Sequence, residues 1–163
     1  METGLVRVRV NGRPVEREVP ARKLLSDFLR EDAGALGVNV GCEQGVCGSC
    51  TVLVDGVPAR ACLAFAVQVD GAEIRTVEGL TTDGSLHPLQ QAFHDHHALQ
   101  CGFCTPGMII TAYDFLARHP RPSIAEIREA LSGNLCRCTG YQQIVEAVQD
   151  AARLGAVPEG GER

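Results

Sequence analysis

The stretch GCEQGVCGSC, residues 41 to 50, sets Cys42, Cys47 and Cys50 at a C-x4-C-x2-C spacing, and Cys62 follows as a fourth thiol. Gly41, Gly45, Gly48 and Ser49 supply the small side chains that let a loop bring its backbone N–H groups toward three sulfurs. The flanks of this loop read as strands. Upstream, Val6, Val8 and Val10 alternate with Arg7 and Arg9, Asn11-Gly12 is a hairpin turn, and Val15 and Val19 face away from Glu16 and Glu18. Leu24, Leu25, Phe28 and Leu29 then recur at helical spacing, with Gly34 near the expected end of that short helix. Downstream, TVLVDGVPARAC is a second hairpin about Asp55-Gly56, and Glu73 to Val77 is a further short strand. The first half is therefore expected to be a small mixed sheet crossed by one helix.

The period of the sequence changes after VEGLTTDGSLH, residues 77 to 87, where the domain boundary is placed. Residues 88 to 100 open on Pro88, and residues 105 to 119 open on Thr105-Pro106 and stop before Pro120; both are expected to be helices. Ser123 and Glu126 form a capping box ahead of Ile127 and Leu131, with Gly133 placed to end that helix. Ile144, Val145, Val148 and Ala152 make an apolar stripe for a fourth helix running to about Leu154. Four short helices imply a bundle, and the tail 156–163 is expected to be flexible.

The eight cysteines divide evenly, with 38 residues free of cysteine between Cys62 and Cys101. The first set has the spacing of plant-type [2Fe-2S] sites. Zinc is the alternative, but zinc loops usually pair two short knuckles and need no glycine-rich x4 loop. The second set, Cys101, Cys104, Cys136 and Cys138, is C-x2-C followed after 31 residues by C-x-C. A disulfide across Cys136 and Cys138 would strain the geometry of the bond. The two pairs fall instead in the turns between helices one and two and between helices three and four, which lie at the same end of an up-and-down bundle. Four thiolates meeting there suit a second [2Fe-2S] cluster or a zinc ion.

Composition narrows the function class. The 163 residues are 45% hydrophobic, enough for real cores, and the formal charge of -5 comes from 15 basic and 20 acidic residues with no basic block, which gives nucleic acid nothing to bind. No apolar run approaches the roughly 18 residues that would span a bilayer. The start METGLVRVRVNG has no basic segment followed by an apolar one, so the thiols are expected to be cytoplasmic and metal-bound rather than disulfide-bonded. Of HDHH at 94 to 97, only His94 and His97 would share a helix face, and a polar surface is the better reading. Arg137 receives no role.

GCEQGVCGSCTV with Cys62, QCGFCTPGM and GNLCRCTGY, in this order and spacing, resemble the small iron-sulfur subunit of the molybdenum hydroxylases, the family of xanthine dehydrogenase, aldehyde oxidoreductase and carbon monoxide dehydrogenase. The resemblance covers nearly the whole chain and departs at no ligand position. It implies an α+β chain: a β-grasp ferredoxin-like domain over 1–80 and an all-α four-helix bundle over 81–155. Each would carry one [2Fe-2S] cluster, the first on Cys42, Cys47, Cys50 and Cys62, the second on Cys101, Cys104, Cys136 and Cys138.

In that family a large subunit holds a molybdopterin cofactor near the bundle cluster, and FAD, usually in a medium subunit, lies toward the ferredoxin-type cluster. Gln100 matches the glutamine that hydrogen-bonds the pterin, and Cys138 the ligand nearest the pterin edge. The implied role is electron transfer from the molybdenum centre, through the bundle cluster and then the ferredoxin-type cluster, to FAD, within a dimer of heterotrimers. The chain itself would carry no catalytic residue. A zinc-stabilised interaction module and a free ferredoxin-like carrier are the competing readings.

Overall fold

A computed structural model describes residues 2–81 and 83–155; the 156–163 tail lies outside the described residues. The first half contains β1 (Thr3–Val10), β2 (Arg13–Pro20), α1 (Leu25–Asp27), β3 (Thr51–Val54), β4 (Val57–Arg60) and β5 (Glu73–Arg75). The five strands form one sheet in the order β2-β1-β5-β3-β4. Only β1 and β5 run parallel, so the sheet is mixed. Asn11 and Gly12, and likewise Asp55 and Gly56, have positive φ, the backbone that a two-residue hairpin matching the strand twist requires. Val6, Val8 and Val10 turn to one face and are buried, while their neighbours Leu5, Arg7 and Arg9 are exposed.

α1 lies over that face. It continues as a wider π-helical turn, Phe28–Asp32, closed by the Ala33 N–H donating to the Phe28 carbonyl at 3.1 Å. The extra residue in the turn keeps Leu25, Phe28 and Leu29 all at 0% exposure against Val52 and Ile74 of the sheet core. Burying side chains of this size contributes roughly 1.5–3 kcal/mol each. Strand β5 stops at Arg75, and Val77–Leu80 is a 3-10 turn instead of the end of a strand, because the Thr76 N–H donates to the Asn11 side chain, not to a neighbouring strand.

The second half contains α2 (Pro88–Asp95), α3 (Thr105–Arg118), α4 (Ile124–Ala130) and α5 (Gln142–Arg153). α2 packs on α5 and α3, and α4 on α3 and α5. Their shared core holds Leu89, Phe93, Met108, Ile110, Leu116, Ile127, Leu131, Ile144 and Val148. The capping box at α4 is formed as read, with Ser123 Oγ accepting from the Glu126 N–H at 3.3 Å and Glu126 Oε2 accepting from the Ser123 N–H at 2.7 Å.

Two helix ends differ from the sequence reading. α2 stops at Asp95, five residues early, because His97 takes a left-handed φ of 50° and the Ala98 N–H folds back onto the Phe93 carbonyl at 2.9 Å. α4 ends at Ala130, before Gly133, whose carbonyl accepts from Arg60 of β4.

Candidate metal centres

The loop 41–50 runs directly into β3, an interior strand of the sheet, so Cys50 beside it is buried while Cys42 and Cys47 stay half-exposed. Cys62 sits in the short 3-10 turn Ala61–Leu63 directly after β4, facing back to Cys50. The loop makes its tight turns through left-handed backbone at Glu43, Gly45 and Gly48. That folding aims the N–H groups of Gln44 and Cys47 at Cys42 Sγ, at 3.4 and 3.5 Å. These N–H groups, first that of Cys47 and then that of Gln44, lower the Cys42 thiol to about 6. Burial pushes Cys62 the other way, up to about 11, with the Cys50 thiol adding to the rise. The thiols meet as two pairs, Cys42 with Cys47 and Cys50 with Cys62.

The second set is delivered by two interhelical loops. Cys101 and Cys104 lie between α2 and α3, with Cys104 the residue that begins α3, and Cys136 and Cys138 lie between α4 and α5. The Cys101 and Cys138 sulfurs are 3.5 Å apart, and the Cys104 and Cys136 thiols lie close enough to shift one another's titration.

Side chains brace this loop where glycines shaped the first. The Cys136 N–H donates to Tyr141 Oη at 2.8 Å, and that hydroxyl donates to the Asn134 carbonyl at 3.3 Å. Thr139 Oγ1 lies 3.1 Å from Cys136 Sγ and accepts from the Tyr141 N–H at 3.1 Å. Burial raises Cys104 to about 12, and the Cys136 and Cys101 thiols add to it. Burial also pushes Cys136 up, but the hydroxyl and N–H of Thr139, the Cys138 N–H and the Cys104 thiol together outweigh it and leave that thiol below its ordinary value. The neighbouring Cys101 thiol raises Cys138.

Among the described residues no three His, Cys, Asp or Glu side chains gather as they would on a single metal ion. What each half presents is four neighbouring thiols, a donor set that would fit a centre with more than one metal atom. Three further features fit a sulfur-bridged iron centre. Gly41 lies so near the first set that a Cβ there would come 3.2 Å from Cys47 Sγ. Backbone N–H groups already point at a sulfur in that loop. In the second half Thr105 Oγ1, one residue after Cys104, is enclosed without a protein hydrogen-bond partner, and a sulfide or thiolate beside it would supply the acceptor.

The two sets differ in exposure. Cys50, Cys62 and Cys104 are buried, while Cys101, Cys138 and the adjacent Gln100 are exposed, so the second set has an open edge beside Gln100. His94 and His97 are exposed, and His94 pairs with Asp95; His96 instead lies 3.2 Å from Asp150 of α5. Arg137 is exposed between its two cysteines. Asn134, Arg60, Thr111, Thr139 and Tyr141 were not among the expected site residues. Their roles depend on partners across loops, and only the short Cys136–Tyr141 spacing carried a local signal.

Two family models match the chain: "2Fe-2S iron-sulfur cluster binding domain" over residues 8–80 and "[2Fe-2S] binding domain" over residues 76–149. The chain is similar to the nicotine 6-hydroxylase small subunit of Paenarthrobacter nicotinovorans, 58% identical over 144 residues that cover 88% of this chain and 87% of that one. It is similar to caffeine dehydrogenase subunit gamma of Pseudomonas sp. (strain CBB1), 52% identical over 155 residues and 93% of each. In structure it is similar to a chain of quinoline 2-oxidoreductase from Pseudomonas putida 86, with a TM-score of 0.89 and 52% identity, covering 96% of this chain and all of that one.

Proposed function

We propose that this chain, which belongs to the small [2Fe-2S] iron-sulfur subunits of the molybdenum hydroxylases, holds one cluster on Cys42, Cys47, Cys50 and Cys62 and a second on Cys101, Cys104, Cys136 and Cys138. Each cluster, when bound, supplies one-electron transfer. The chain is the electron-transfer subunit of an oxidoreductase and does no substrate chemistry of its own. The observation that carries the ligand assignment is that each half gathers its own four thiols, with the Cys101 and Cys138 sulfurs 3.5 Å apart.

We divide the chain into a β-grasp ferredoxin-like domain over 1–80 and a four-helix bundle over 81–155; two separate cores support the division, with Leu53 and Leu80 of the first half packing into the helical one. The residues position the electrons' route. N–H groups on Cys42 Sγ favour the more negative, reduced state of the first site. The exposed edge formed by Gln100, Cys101 and Cys138 faces the molybdopterin of a large subunit, with Gln100 donating to or accepting from the pterin and Cys138 as the nearest ligand. The half-exposed Cys42 and Cys47 edge faces FAD in a medium subunit, and the assembly is a dimer of such heterotrimers in the cytoplasm.

Nicotine, caffeine and quinoline, in the names of the similar proteins, are nitrogen heterocycles. That is the substrate class of the whole assembly; the residues that choose within it belong to the large subunit. Metal and acid-labile sulfide analysis of the purified complex tests the reading: about four iron and about four sulfide per copy of this chain are expected, and zinc in place of either pair of irons contradicts it.

A further inference from the structure

The loop that delivers Cys136 and the loop that delivers Cys47 are joined directly. The Leu135 N–H donates to the Cys47 carbonyl at 2.8 Å. One residue earlier, Asn134 Nδ2 donates to the Gly48 carbonyl at 3.0 Å. One residue before that, the Gly133 carbonyl accepts from Arg60 Nη2 at 2.7 Å. Three consecutive residues thus grip the first cysteine loop and the end of β4.

Asn134 is the buried member of this seam, at 1% exposure. A carbonyl can only accept, so the nitrogen of the Asn134 carboxamide must face Gly48, and its oxygen is left to accept from Thr111 Oγ1 of α3 at 3.0 Å. The Gly48 carbonyl also accepts from the Thr51 hydroxyl at 2.5 Å and the Thr51 N–H at 3.2 Å, so the carboxamide completes a fixed acceptor geometry. Contact here is as close as backbone allows. A Cβ on Gly48 would lie 2.6 Å from the Gly133 carbonyl and 2.7 Å from Asn134 Nδ2, and a Cβ on Gly107 of α3 would strike the Gly48 carbonyl.

We propose that Asn134 is a positioning residue that ties the two thiol sets into one unit: its carboxamide locks the Cys47–Cys50 loop to α3 from within the loop that carries Cys136. The inference rests on the two-cluster reading above. The separation of the two centres is then set by the seam and not by the chain segment between the halves, and the first centre keeps its shape only while the helical loop is docked on it.

The test uses the complex with its partner subunits and compares Asn134→Ala with the unaltered protein. Iron release to a chelator is followed at the distinct paramagnetic signal of each reduced centre. The dipolar broadening that each centre imposes on the other reports their separation, because it falls with the cube of the distance, and hydrogen exchange reports the Leu135 amide.

Iron of the first set should leave about tenfold faster, the equivalent of one lost buried hydrogen bond. Iron of the second set should change less, the dipolar broadening should weaken or spread, and the Leu135 amide should lose protection. Thr111→Val removes the hydroxyl that aims the carboxamide without touching either cysteine loop, so it reads the same quantities if Asn134→Ala does not accumulate. It should act in the same direction, and Thr111→Ser should restore the unaltered values. Unchanged release, broadening and Leu135 protection in these variants overturn the proposal. An unaltered complex that holds zinc and shows no paramagnetic signal on reduction refutes the cluster reading instead, and the Leu135 exchange comparison still decides the role of Asn134.

Discussion

The two thiol sets solve the same problem with different materials. The first gathers Cys42, Cys47 and Cys50 in one loop, and its shape comes from backbone: left-handed turns at Gly45 and Gly48 and N–H groups aimed at Cys42 Sγ. The second brings Cys101 and Cys104 to Cys136 and Cys138 across 31 intervening residues, and its shape comes from helix packing and from side chains, chiefly Tyr141 and Thr139. A site written in backbone is sensitive to Cβ atoms. A site written in side chains and helix docking is sensitive to lost hydroxyls and to loosened packing.

The largest expected effect separates the sets outright. Cys47→Ser removes a first-set thiol but leaves its carbonyl in place for the Leu135 N–H, so iron per chain should fall from about four to about two, with the remaining signal that of the second centre. Cys104→Ser should give the complementary loss. Loss of both centres from Cys47→Ser would break the claim that the thiols are grouped as assigned.

Gly48→Ala comes next. The left-handed backbone alone costs about 1–2 kcal/mol with a Cβ, and that Cβ would also lie 2.6 Å from the Gly133 carbonyl. Thermal unfolding of the complex should drop by several degrees, and the first centre should be lost before the second. Retention of the first centre at the normal midpoint would contradict the backbone account.

Tyr141→Phe probes the side-chain account. It leaves the half-buried Cys136 N–H without its acceptor, a cost of about 1–3 kcal/mol. Iron of the second set should become the more labile of the two, reversing the order in Gly48→Ala; equal lability would count against the contrast.

The smallest effect lies at the far end of α2. His87 caps that helix by accepting the Leu89 N–H on Nδ1 at 3.2 Å, which requires the neutral ring, and burial holds its imidazole below the ordinary 6.5. Because the folded value lies below the unfolded one, the cap contributes fully above about pH 6.5 and is lost as pH falls through the lower folded value. Between pH 7.5 and 5 the unaltered protein should therefore lose about 1 kcal/mol or less that His87→Asn, with a cap that does not titrate, retains. Parallel pH dependence in the two proteins would remove the capping role.

The same contrast explains what the sequence made legible. Hairpins turned by Asn11-Gly12 and Asp55-Gly56, the capping box of Ser123 and Glu126, and the first tetrad are short-range patterns, and each could be read from neighbours a few residues apart. The second tetrad required placing four helices first and then asking which loops share an end.

Three features had no local signal. The position of β5 between β1 and β3 is a pairing of residues distant in the chain. The early stop of α2 rests on a left-handed histidine where the pattern offered no glycine. Asn134 reaches Gly48 across 86 positions, and in the sequence it is only a polar residue two positions ahead of a cysteine.

Spin quantitation of the reduced complex at low temperature tests the central claim most directly, because it counts centres instead of metal. Two thiol quartets, each holding a pair of irons, should give two distinguishable signals of one unpaired electron each per copy of this chain. A single signal that integrates to one electron, with zinc recovered from the same sample, would contradict the assignment of the second set.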